Sequence, residues 1–235
     1  MPPPQSFAPG LVIQGFTPPL RLADFRVAAF DMDSTLIDIE CIDEIAEVAG
    51  RGPQVAEITD AAMRGEIADY RESLQRRLAL LEGVEASALE RVYRHRLRLN
   101  PGAFELIHAL KAAGLSVLLV SGGFTYFTDR LKPRLGIDRA RANTLEIAEG
   151  RLTGRVVGDI VDAAAKAAEL RRMCDDLGCS PSQAIAVGDG ANDLAMMALA
   201  GLSVAYRAKP RVRAQAHVAI DTGGLDRLLE VFGSA

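Results

Sequence analysis

Tryptophan is absent from this chain, and cysteine and histidine occur only three times each in 235 residues. Cys41, Cys174 and Cys179 are odd in number and lack the paired spacing of a zinc site, so neither a disulfide framework nor a structural metal knot is expected. His95, His108 and His217 lie outside every segment with catalytic character, which removes histidine-based triads and histidine metal centres from consideration. No apolar run approaches the roughly 18 residues of a spanning helix, and Met1-Pro2-Pro3-Pro4-Gln5-Ser6 lacks the charged-then-apolar pattern of a signal peptide. A membrane partner is therefore not expected, and a cytoplasmic protein with reduced thiols is. Excess positive charge is missing as well. The formal net charge is −4 with a pI near 5.5, which argues against nucleic acid as a partner.

The segment Val27-Ala28-Ala29-Phe30 is short, uncharged and β-competent, and reads as a buried strand. It runs directly into Asp31-Met32-Asp33-Ser34-Thr35-Leu36. Two carboxylates spaced i and i+2 at the mouth of a buried strand are costly unless something there requires negative charge, and a cation is the usual requirement. Taken alone, the segment also fits a helix or turn cap, because Asp, Ser and Thr all favour such positions.

Residues 1–25 carry six prolines and one short apolar run, the pattern of an arm packed on a core. Residues 26–39 and 100–235 alternate strands with helices, which implies a mostly parallel sheet covered on both faces, with a β-hairpin turning at Glu149-Gly150. Residues 40–99 carry helical periodicity with breaks near Gly50-Arg51-Gly52-Pro53, Gly65 and Glu82-Gly83. The expected architecture is α/β, a Rossmann-like parallel sheet with a helical cap inserted after its first catalytic strand. Ligands in open α/β sheets bind beyond the carboxyl ends of strands, so an insertion there would cover the site as a lid.

Other strand ends carry polar groups too. Val117-Leu118-Leu119-Val120 leads into Ser121-Gly122-Gly123, which offers a hydroxyl and approachable backbone N–H groups; a plain Gly-Gly turn with a capping serine is the simpler alternative. Ile185-Ala186-Val187 leads into Gly188-Asp189-Gly190-Ala191-Asn192-Asp193. A helix cap explains Asn192 but gives Asp189 no reason to sit at the end of a buried strand. Lys166, near the start of a helix, opposes the helix dipole, and a bound anion is one justification. A solvated helix lysine is the other. Together these groups form a kit for phosphoryl transfer: carboxylates for a hard divalent cation such as magnesium, a lysine and a serine for phosphate oxygens, and two aspartates for nucleophile and acid/base roles.

These four segments, in this order and spacing, resemble the motifs of the haloacid dehalogenase superfamily of aspartate-nucleophile phosphatases. Glu40-Cys41-Ile42-Asp43-Glu44-Ile45-Ala46, Ala62-Met63-Arg64-Gly65-Glu66, Ser73-Leu74 with Arg77, and Gly158-Asp159-Ile160-Val161-Asp162-Ala163 closely resemble its phosphoserine phosphatase family, over about residues 27–220. The resemblance implies hydrolysis of the small molecule O-phospho-L-serine through an aspartyl phosphate, as the last step of L-serine biosynthesis. It implies Asp31 as nucleophile and metal ligand, Asp33 as acid/base and a ligand through its backbone carbonyl, Asp189 as the remaining protein ligand of Mg2+, and Asp193 in support. Ser121, Gly122 and Lys166 would hold the phosphoryl group with Asn192 nearby. Glu40 would face the substrate ammonium and Arg77 its carboxylate, the two signs that a zwitterion requires. Met63 and Tyr70 would support the substrate from the cap.

The chain departs from the family pattern in an extra residue between Met63 and Ser73, and in Tyr70 where phenylalanine is expected. Its first 25 residues are also too few for the regulatory domain that bacterial members often carry, so serine feedback through one is not expected. Two rivals share the fold: a phosphotransferase to another hydroxyl such as that of homoserine, and a silent phospho-ligand binder, which would have no need of Asp31. The basic run Arg91–Arg98 and the cations Arg207, Lys209, Arg211 and Arg213 read as solvated faces. Cys41, beside Glu40, is a candidate for oxidation sensitivity. Oligomeric state is left open by the sequence.

Overall fold

A computed structural model describes residues 4–63, 66–67 and 69–233, with the side chain of Met63 outside that description. Arg64 and Gly65 of the cap motif also lie outside it. In chain order the elements are β1 (Gln5–Ala8), β2 (Leu11–Ile13), β3 (Val27–Phe30), α1 (Cys41–Val48), α2 (Gly52–Met63), α3 (Tyr70–Ala79), α4 (Ser87–His95) and α5 (Ala103–Ala112). There follow β4 (Ser116–Phe124), α6 (Thr125–Leu135), β5 (Arg139–Ala148), β6 (Arg151–Val157), α7 (Ala163–Asp176), β7 (Ala184–Gly188), α8 (Leu194–Met197), β8 (Leu202–Tyr206), α9 (Pro210–Arg213) and β9 (Val218–Ile220).

The strands form one sheet in the order β1-β2-β9-β8-β7-β3-β4-β5-β6, with β3 paired in parallel to both β4 and β7. Side chains alternate across a strand, and β3 shows the consequence. Ala28 and Phe30 enter a core with Val117, Leu119, Ile185 and Val187, whereas Val27 and Ala29 enter a second core with Leu118, Val120 and Ala186. Both faces are therefore dry. The three adjacent strands β4, β3 and β7 point their carboxyl ends the same way, which sets Ser121, Asp31 and Asp189 side by side.

The N-terminal arm is more than packing. Its β2 pairs antiparallel with β9, and β1 pairs with β2, so the arm supplies one edge of the sheet. At the other edge Glu149 (φ 50°) and Gly150 (φ 75°) make the left-handed turn that joins β5 to β6, as a two-residue hairpin requires.

The four helices α1–α4 enter and leave through two strands of chain that pair with each other: Asp38 N–H donates to Arg98 O (3.0 Å) and Asn100 N–H to Leu36 O (2.9 Å). The far end is tied to the β5–β6 turn, where Gly83 N–H donates to Leu152 O and Leu152 N–H to Val84 O, both at 2.8 Å. On α4, Ala88, Leu89 and Val92 face inward, while Arg91, Arg94, His95 and Arg96 are exposed, so this basic run is a solvated face. Among the described residues no helix is long and apolar enough to cross a membrane.

Candidate functional site

Asp31 ends β3 at 5% exposure, because the four residues before it are buried on both faces of the sheet. Its Oδ1 accepts from the Met32 N–H (2.7 Å) and faces Lys166 Nζ (2.7 Å). Among the described residues nothing bonds Oδ2, which is left for chemistry. The chain then turns irregularly through residues 32–36, with Ser34 in the left-handed region at φ 55°. Asp33 Oδ1 accepts from the Cys41 N–H at 3.3 Å, which directs this second carboxylate toward the start of α1.

Lys166 is fully buried, so the solvated alternative is wrong. Its ammonium lies 2.7 Å from both Asp31 Oδ1 and Asp193 Oδ1. Asp193 Oδ2 accepts from the N–H groups of Asp189 (3.2 Å) and Gly190 (3.0 Å), so both oxygens of Asp193 are committed within the protein. Asp189 Oδ1 accepts from the Thr35 hydroxyl at 3.0 Å, which links the loop after β3 to the loop after β7.

β4 extends beyond Val120 to Phe124, so Ser121-Gly122-Gly123 is extended strand rather than a turn ahead of a helix. The two glycines serve close approach: a Cβ on Gly122 would collide with the Tyr70 hydroxyl, and one on Gly123 would meet Asp33 Oδ2 and Met32 Cε. The Ser121 Oγ accepts from the Gly123 N–H (2.8 Å) and keeps its own proton to donate.

From the cap, Tyr70 reaches over this strand, and burial pushes its phenol up to about 12, so it stands as a neutral donor. Glu40, exposed at the mouth, accepts from the Ser34 hydroxyl at 2.7 Å. Arg77 is half-buried, with Nε aimed at Ser73 O (3.4 Å), and its charge acts on both Tyr70 and Asp43. Asn192 is half-buried, its carboxamide oxygen folded over Gly190. Cys41 is completely buried, and burial with Asp33 beside it pushes the thiol well up, which disfavours the oxidation-sensitive alternative.

The electrostatics are those of a site whose residues would suit a cation. Asp31, Asp189 and Asp193 each bring one carboxylate oxygen within 4.8 Å of the others. One ammonium stands against three carboxylates. Burial first, then Asp193 and Asp189, raise Asp31 well above the usual carboxylate range despite Lys166. Burial, then Glu40, raises Asp33 to about 7; burial, then Asp193 and Glu40, raises Asp189 to about 7. Lys166 stays protonated, since the two carboxylates outweigh the burial that would pull it down. All-oxygen donors around uncompensated negative charge suit a hard divalent ion.

Thr35, Asn100 and Asn143 are site supports that the sequence reading passed over. Asn100 Nδ2 donates to Thr35 O (2.8 Å) and Ile37 O (2.9 Å), holding the loop that carries Asp33. Its position beside Pro101-Gly102 marks it as a turn residue, and no local pattern distinguishes it. Two open hollows of about 420 and 290 Å³ lie elsewhere, around Arg51 of the cap, the second reaching Arg151 on β6.

A family model for haloacid dehalogenase-like hydrolases matches residues 28–198. The phosphoserine phosphatase of Polaromonas sp. is 63% identical over 232 residues, covering 97% of this chain and 98% of its own. Among solved structures, a substrate-bound phosphoserine phosphatase complex is similar at TM-score 0.83 and 37% identity, covering 89% of this chain and 99% of the other. A phospho-aspartyl intermediate analogue of phosphoserine phosphatase gives the same TM-score of 0.83 at 37% identity, with the same coverage of 89% and 99%.

Proposed function

The chain belongs to the haloacid dehalogenase-like hydrolases and, within them, to the phosphoserine phosphatase family, and from that premise we infer that it hydrolyses O-phospho-L-serine to L-serine and phosphate through a phosphoryl group carried on Asp31. The observation that carries the reading is the buried Lys166 ammonium, set 2.7 Å from an Asp31 whose other oxygen is free. Asp31 Oδ2 attacks phosphorus, and the bond to the serine oxygen breaks. Asp33, in its protonated form, gives that oxygen a proton. It then takes a proton from the water that attacks the acyl phosphate, releasing phosphate and restoring Asp31. A group held at about 7 can serve in both directions near neutral pH. Ser121 and Lys166 hold the phosphoryl oxygens. Glu40 and Arg77 bind the ammonium and carboxylate of the amino acid, Tyr70 lies beside it, and Asn192 stands near the phosphoryl group; Met63, expected to support the substrate, has its side chain outside the described residues. Helices α1–α4 act as the lid over this chamber.

The ion we propose is magnesium, held by the carboxylates of Asp31 and Asp189 and the backbone carbonyl of Asp33, with Asp193 in support. When bound, it supplies charge neutralisation at a phosphoryl oxygen. The compartment we propose is the cytoplasm, a reading supported by the free thiols of Cys41, Cys174 and Cys179.

The deciding experiment compares phosphate release from O-phospho-L-serine, an aryl phosphate and a phosphoserine peptide, with magnesium and with EDTA. Strong preference for the free amino acid, abolished by EDTA, is expected. Activity on the aryl phosphate equal to or above that on the amino acid would discard the roles of Glu40 and Arg77. Loss of free phosphate in favour of a phosphorylated acceptor such as homoserine would make the protein a transferase.

Metal binding should also appear in stability. Asp33 and Asp189 titrate near 7 in the fold against an ordinary 3.8, so the folded state binds their protons more tightly. Their contribution is present below about 4 and is lost as pH rises through 7. In EDTA the melting temperature should fall across that window. At one fixed concentration, about 100 times the dissociation constant at pH 8, magnesium should restore ~2.7 kcal/mol, roughly 5–10 °C, and less at pH 6. An equal shift at both pH values would remove the Asp189 carboxylate from the ligand set.

A further inference from the structure

Ser121 and Lys166 must act on one phosphoryl group, yet they come from different elements, and the two glycines after Ser121 give their strand little stiffness of its own. One side chain that none of the motifs contains joins them. Asn143, on β5 at the point where Phe124 pairs with it, is 2% exposed. Its Nδ2 donates to Gly122 O at 2.7 Å, and its Oδ1 accepts from the Val161 N–H at 2.8 Å. The amide orientation is fixed by these partners, because exchanging the two atoms would set oxygen against oxygen and nitrogen against nitrogen.

We propose that Asn143 is a positioning residue of the phosphoryl cradle, one that locks the Gly122–Gly123 peptide and ties it to the turn that delivers Lys166. A peptide unit is planar, so its carbonyl and its N–H turn together. The carbonyl is held by Asn143, and the N–H at the other end donates to Ser121 Oγ at 2.8 Å. Fixing that peptide commits the Ser121 oxygen as acceptor for Gly123 and leaves its proton for the substrate. At the other end, Val161 precedes Asp162, whose Oδ1 caps α7 through the Ala165 N–H (2.9 Å), and the Lys166 N–H donates to Asp162 O (2.9 Å). Serine and lysine are thereby referenced to one carboxamide. A misplacement on the order of 1 Å in such a cradle can cost about a hundredfold in rate.

This inference rests on the phosphatase reading, so the experiment separates the two. Asn143→Ala, Asn143→Asp and, as a control, Ser203→Ala would be compared with wild type by kcat and KM for O-phospho-L-serine, by inhibition with inorganic phosphate, and by melting temperature. Ser203 is an equally buried polar residue on β8 that bonds His217 and no site residue. Asn143→Ala should lower kcat by about ten- to a hundredfold and weaken phosphate inhibition, with KM changed less than about threefold because Glu40 and Arg77 still hold the amino acid. Ser203→Ala should lose stability and keep kcat. In Asn143→Asp the introduced carboxyl can donate to Gly122 O only when protonated, so its kcat relative to wild type should rise toward acid pH. Should Asn143→Ala fail to fold, that pH-dependent ratio decides alone. A folded Asn143→Ala with undiminished kcat, or a flat ratio for Asn143→Asp, overturns the inference. No phosphate release by wild type overturns the phosphatase reading, and this inference with it.

Discussion

Replacing Asp31 by Asn should lower phosphate release by at least about 10⁴-fold while the melting temperature stays at or above that of wild type. The loss follows from removing the oxygen assigned to form the covalent intermediate, and groups that act as a nucleophilic unit fail together when one member goes. Retention of the fold follows from the bonds that survive. The amide oxygen still accepts from the Met32 N–H and from Lys166, and Lys166 keeps its 2.7 Å pair with Asp193. Substitution also deletes one of three clustered like charges, which together with burial raise Asp31. Single-turnover phosphate release together with calorimetry tests both halves. Residual activity above about one per cent in a folded variant, against a loss of this kind, would move the nucleophile to Asp33.

How far the sequence could be read depended on whether a residue's partners were near it in the chain. Val27–Phe30 announces a doubly buried strand because four uncharged residues leave no wet face, and Asp31 at its end is then conspicuous. Helical periodicity in 40–99 is likewise local. Lys166 is the opposite case. Its own helix makes it look solvated, and its burial is caused by Asp31 and Asp193, which arrive from β3 and from the loop after β7. The strands β1 and β2 were illegible for the same reason: they are 4 and 3 residues long, and pairing with β9 at the far end of the chain makes them strands. Ser121-Gly122-Gly123 reads as a turn because glycine usually marks one, whereas here the missing Cβ makes room for Tyr70 and Asp33. Asn143 bonds only the backbone of distant segments, so no local pattern reveals it.

Lys166→Ala tests whether that buried ammonium holds the fold as well as the substrate. Its removal leaves Asp31 and Asp193, both buried, facing each other and Asp189 with no cation paired to them among the described residues. Breaking a buried pair by deleting one partner costs ~3–5 kcal/mol, a large share of the ~5–15 kcal/mol that keeps a domain folded. For a chain of this size that is roughly 6–20 °C in melting temperature. The pH dependence gives the cause. Lys166 is the influence that lowers Asp31, so without it the Asp31 carboxyl rises further above its unfolded value. A carboxyl raised in the fold adds stability below its unfolded pKa and loses it as pH climbs through the folded one. The deficit of Lys166→Ala in EDTA should therefore be smaller at pH 5, where protonation discharges the raised carboxyls of Asp31 and Asp189, than at pH 8. Turnover should fall by about 10²–10³-fold even with magnesium present, since a fixed charge on the phosphoryl oxygens is gone. A deficit of equal size at both pH values would mean that the lysine stabilises by packing its methylenes, and the cluster would need another explanation for its tolerance of three adjacent carboxylates, two of them buried.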